Sequence, residues 1–108
     1  MSGLKNRGPQ LGGGPDKMPV PPAAKRAKEA REVLSVWIAD TRAEVVLQPA
    51  FDDPMVWGLL LVDVARHVSR MFADDTGMSE QEALDRLRVG WNAEIANPTD
   101  LGSTEKLS

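Results

Sequence analysis

The sequence predicts an α+β domain: an N-terminal antiparallel β-hairpin followed by two antiparallel helices (ββαα), arranged in two layers. Three observations predict it. Two β-rich runs flank Asp40-Thr41, an apolar pattern at helical spacing follows Asp53-Pro54, and a second such pattern opens at Ser79.

The chain begins with a segment that predicts no packed structure. Five of the nine glycines and five of the eight prolines fall within residues 1–22, a composition that buries too little side chain to offset chain entropy. Gly12-Gly13-Gly14 has no strand before it and no helix after it, so it does not read as a phosphate loop. Residues 23–31 have high helix propensity and few large apolar side chains, which suits a solvated linker or a frayed helical turn. Residues 1–28 are therefore read as a disordered basic tail, 29–100 as a single domain, and 101–108 as a flexible C-terminal tail.

Glu32 to Ala39 and Arg42 to Gln48 form the hairpin. With Asp40 and Thr41 as the two turn residues, the pairs Ile38–Ala43, Val36–Val45 and Leu34–Leu47 share one clean apolar face. The other face holds Trp37–Glu44, Ser35–Val46 and Val33–Gln48. A shift of one residue sets Ile38 against Glu44 and spoils the clean face. Asp-Thr is a poorer tight-turn pair than Asn-Gly or Asp-Gly, and a four-residue loop from Ala39 to Arg42 would preserve the same register.

Asp53-Pro54 is a helix start, with Asp53 accepting from free amides and Pro54 where its missing donor costs nothing. The helix is expected to run to about Asp75. Trp57, Leu60, Leu61, Val64, Val68, Met71 and Phe72 line one side, and Asp63, Arg66, His67, Arg70 and Asp74 form a polar stripe opposite. Met55, Val56, Leu59 and Val62 make the N-terminal half apolar nearly all round. Thr76-Gly77 ends this helix. In the next, Ser79 and Glu82 have capping-box spacing and Met78 can staple against Ala83. Ala83, Leu84, Leu87, Trp91 and Ile95 form its stripe, Gly90 is placed for close packing, and Asn97-Pro98 ends it.

Composition narrows the function. The net charge of −3 divides unevenly: residues 1–30 carry six Lys/Arg against two Asp/Glu, and residues 31–108 carry seven against fourteen. An acidic body is a poor surface for a phosphate backbone, which argues against nucleic acid as a partner except through the tail. The chain has no cysteine, so disulfides, thiolate metal sites and cysteine nucleophiles are excluded. No run approaches the ~20 apolar residues that cross a bilayer, and the N-terminus has no apolar signal region. A cytoplasmic location is expected.

The run Val36-Trp37-Ile38-Ala39-Asp40, then Asp53-Pro54 with Trp57-Gly58-Leu59-Leu60-Leu61-Val62-Asp63-Val64-Ala65-Arg66-His67, resembles a family of small alphaproteobacterial proteins known only as a domain of unknown function. Asn92-Ala93-Glu94 and Pro98-Thr99-Asp100 are also similar to it. The likeness spans roughly residues 31–100. It implies a helical-plus-hairpin domain and carries no activity, ligand or functional residue.

Candidate sites are few. His67 is the sole histidine, and Asp63 lies one turn before it, where a carboxylate could orient an imidazole. No second histidine or cysteine accompanies the pair, so no catalytic residue is assigned. Adjacent Asp52-Asp53 and Asp74-Asp75 point apart and do not converge on a metal, and no cofactor is expected. Asp63, His67, Arg66 and Arg70 form a possible ligand contact. The helical stripes place Trp57 and Trp91 in the core, whereas Trp37 lies on the mixed hairpin face with Val33 and Val46. With Val56 and Leu59 of the long helix, these three form a possible interface. A domain this small buries only roughly 60% of its unfolded surface, so a homo-oligomer, a dimer first, is the expected partner arrangement. The leading reading is a non-enzymatic, self-associating interaction or accessory module. The rivals are a small-ligand-binding regulatory domain and a nucleic-acid-associated protein acting through its basic tail.

Overall fold

The hairpin turns on two residues with left-handed backbone. In the computed structural model, which describes residues 15–99 and 103–107, Asp40 has φ 50° and Thr41 φ 71°. Positive φ at both central positions matches the right-handed twist of the flanking strands. Strands β1 (Leu34–Ala39) and β2 (Arg42–Leu47) pair antiparallel in the register Leu34–Leu47, Val36–Val45 and Ile38–Ala43 on one face, and Ser35–Val46 and Trp37–Glu44 on the other. The Gln48 amide donates to the Val33 carbonyl at 3.1 Å and continues the ladder. The two-residue turn and the register expected from side-chain alternation are both present.

Two elements lie outside the ββαα order, the first of them where residues 23–31 were read as a solvated linker or a frayed helical turn. A five-residue helix, α1 (Pro22–Arg26), starts on a proline and ends on Lys25 and Arg26, an arrangement that suits the helix dipole. The C-terminal residues read as a loose tail instead form a strand, β3 (Ser103–Lys106), parallel to β2 with Glu44 level with Ser103 and Leu47 level with Lys106. The sheet order is β1-β2-β3. A parallel pair requires a long crossover, and residues 49–102 supply it. Main-chain pairing explains how so polar a segment becomes a strand: the Leu107 amide donates to the Leu47 carbonyl at 2.8 Å, and the Ser103 hydroxyl bonds the Glu44 carboxylate.

The crossover contains α2 (Pro54–Asp75) and α3 (Glu80–Ala96). Asp53 Oδ1 accepts from the Met55 amide at 2.9 Å, and Ser79 Oγ accepts from the Glu82 amide at 3.1 Å, as their positions predict. The end of α2 rests on Thr76, whose hydroxyl donates to the Phe72 carbonyl at 2.7 Å and accepts from the Met78 amide at 3.0 Å. The chain divides into two units, the sheet with the N-terminal segment and the helix pair of residues 49–99, and each is described by itself. No helix among the described residues is long and apolar enough to cross a membrane.

Candidate functional site

The helix pair is held together by small side chains. Among the described residues, Ser69 of α2 (2% exposed) and Ala83 of α3 (3% exposed) are the buried ones. Ser69 Oγ donates back to the Ala65 carbonyl at 2.9 Å, which satisfies the hydroxyl within its own helix. Ala65 and Ala73, one turn to either side, are half-buried. Small residues let two helices approach closely. Arg70, in the second half of α2, reaches Glu80 at the start of α3, with N···O 3.8 Å, so the helices run antiparallel.

At the opposite end the pair opens. A groove of about 600 Å³ is bordered by Met55, Leu59 and Val62 of α2 and by Leu84 and Trp91 of α3, with Arg66 and Arg88 among its lining residues. A second, of about 630 Å³, runs past Phe72, Met78, Gly90 and Trp91. Met55 is 66% exposed, Leu59 60%, Trp91 55% and Ile95 67%. Trp91 and Ile95 therefore lie open, and Trp91 leaves the core expected of it, whereas Ala83, Leu84 and Leu87 of the same stripe are buried or half-buried. Gly90 has open space where a Cβ would stand, so close packing does not account for it.

Two groove-lining arginines, Arg66 and Arg86, make no ion pair among the described residues. Arg70 is engaged by Glu80, and Arg88 lies 3.6 Å from Asp85. Arg66 stands on the edge of an apolar groove. Asp63 and His67 are exposed, and neither makes a hydrogen bond or ion pair among the described residues. The one-turn spacing does not join them. Among the described residues no three His, Cys, Asp or Glu side chains converge to hold a metal.

The possible interface residues are dispersed between the units. Trp37 is half-buried: its indole N–H donates to Ser35 Oγ at 3.0 Å, and Lys17 Nζ lies 5.9 Å from its ring centroid, within cation–π reach. Val33, Val46 and Val56 are half-buried as well, while Leu59 lies open. Trp57 stacks edge-on against Phe51, with centroids 5.2 Å apart.

The model of a domain of unknown function (DUF5076) matches residues 17–99. The chain belongs to this family. The matched region begins at Lys17, the residue that covers Trp37, so it takes in part of the segment read as tail. A solved structure described as "a putative pyruvate dehydrogenase from the photosynthetic bacterium Rhodopseudomonas palustrus CGA009" is 40% identical, with a TM-score of 0.69 over 89% of this chain and 99% of that one. No curated protein matches.

Proposed function

We propose that this family member is a non-enzymatic, self-associating interaction module of the alphaproteobacterial cytoplasm, a homodimer whose first contact centres on Leu59. One observation carries the reading: the groove at the open end of the helix pair displays Met55, Leu59, Val62 and Trp91 together, each half exposed or more. Contiguous large apolar side chains of this kind mark an interaction surface, and a second copy is the simplest cover. The mixed sheet face, with Trp37, Val33 and Val46, is a secondary contact, and half-buried Val56 supports Leu59 from the same helix. The reading draws on the shared fold and this surface, not on the activity in the relative's name.

The test is Leu59→Glu, followed by sedimentation equilibrium. Burying the exposed part of one leucine contributes about 1–2 kcal/mol, and a two-fold interface counts each substitution twice. The expected result is a monomer at concentrations where the unaltered protein is dimeric, with helix content unchanged by circular dichroism. An unaltered dissociation constant would refute the reading. A second reading, a small acidic ligand held by Arg66 with Asp63, His67 and Arg70 nearby, draws support from the place of Arg66 on the groove. A co-purifying small mass would favour it.

A further inference from the structure

We propose that β1 is an open edge on which a second copy pairs, strand β1 against strand β1, antiparallel about a two-fold axis at Val36. The proposal rests on the reading of the protein as self-associating and adds a contact that the sheet makes without the helix pair. The order β1-β2-β3 leaves two edges, and they differ. β3 carries Glu105 and Lys106 and is exposed along its length, the kind of charged edge that discourages further pairing. β1 has six residues, Leu34–Ala39, with no charge and no proline, and its register with β2 runs without a bulge. The features that normally guard an edge strand are missing from it.

The ladder fixes which groups face that edge. In an antiparallel strand the main-chain groups of successive residues point to opposite sides. The tight turn at Asp40-Thr41 closes on the pair Ala39–Arg42, and the Gln48 amide donates to the Val33 carbonyl at 3.1 Å, so the odd-numbered residues of β1 bond β2. The amides and carbonyls of Leu34, Val36 and Ile38 therefore face outward, and no other hydrogen bond reaches them among the described residues. Their side chains share the apolar sheet face, where Val36 is 53% and Ile38 40% exposed. The strand is complementary to itself, as an isologous contact requires. With the axis at Val36, Leu34 stands opposite Ile38 of the second copy and Val36 opposite Val36, all with outward-facing main chain, while Ser35 stands opposite Trp37 on the other face. An axis at a neighbouring residue pairs fewer of these groups within β1. A strand of another sequence would need apolar side chains at the same alternate positions, which β1 itself supplies.

The test reads the main-chain amides directly, by NMR hydrogen exchange on the full chain as its concentration is raised through the micromolar to the millimolar range, with association followed by sedimentation. The amides of Leu34, Val36 and Ile38 exchange freely in the monomer and are expected to slow by about tenfold or more in the associated protein, whereas β2 protects those of Ser35 and Trp37 throughout. Charge at the axis tests the register. Val36→Lys sets two ammonium groups opposite each other and Val36→Glu two carboxylates, so each variant alone is expected to lose the added protection. An equimolar mixture sets lysine opposite glutamate and is expected to regain it, and Val36→Thr, β-branched and uncharged, keeps it. Protected Ser35 and Trp37 amides confirm that each variant retains the hairpin. If the protein associates while the three outward amides stay free, the edge pairing is wrong and self-association stands. Protection that survives both Val36→Lys and Val36→Glu overturns the pairing at Val36. A protein monomeric throughout overturns both.

Discussion

Ser69 tests how the two helices are held. It is 2% exposed, and its hydroxyl is bonded to the Ala65 carbonyl of its own helix at 2.9 Å. Nothing in α3 depends on that oxygen, so Ser69→Ala removes an internal bond of the kind that slightly destabilises helices and installs a better helix former. The net change is expected to lie within about 0.5 kcal/mol of zero, with stabilisation the favoured sign. Ser69→Leu puts three further carbons where the helices approach through small residues, and overpacking of this kind costs about 1–3 kcal/mol. The pair is measured by urea denaturation monitored at 222 nm, reading midpoint and slope for each variant. A leucine that is as stable as serine would refute the close approach at Ser69. An alanine that costs ~2 kcal/mol would show instead that the hydroxyl serves a partner outside α2.

Other changes probe single elements. Thr41→Gly relieves a β-branched residue of φ 71°, and after the entropy lost to glycine should raise stability by about 0.5–1 kcal/mol; a lower melting temperature would contradict the left-handed turn. Asp53→Ala removes the carboxylate that caps α2 and should cost about 1 kcal/mol in denaturant titration. Gly90→Ala adds a methyl group into open space within a helix, and should raise stability by about 0.5–1 kcal/mol; a loss would reveal a neighbour at that site.

Legibility in the sequence tracks the strength of the periodic signal. The hairpin register was legible because a period of two admits only one alignment that gathers Leu34, Val36, Ile38, Val45 and Leu47 on one face. The helix starts were legible because Asp53-Pro54 and Ser79 have local chemistry that requires no tertiary context. Trp91 was misplaced for a physical reason: spacing shows which side chains share a stripe, not whether the opposing helix lies close enough to cover each of them. The burial of Ser69 and Ala83 went unseen because small side chains add little to an apolar pattern, although Ala65, Ser69 and Ala73 at four-residue spacing were the available cue. Strand β3 carries serine, threonine, glutamate and lysine and is held by main-chain bonds, which alternation of side chains does not report. Of the possible interface residues, Leu59 was found on an open surface because the apolar all-round start of α2 was itself readable.

The central claim is self-association, and native mass spectrometry of gently purified full-length protein tests it most directly. The predicted result is a dimer, an even multiple of 11.8 kDa, that dissociates on dilution and carries no added mass. A monomer at every concentration, bare or with a bound small molecule, would contradict the account.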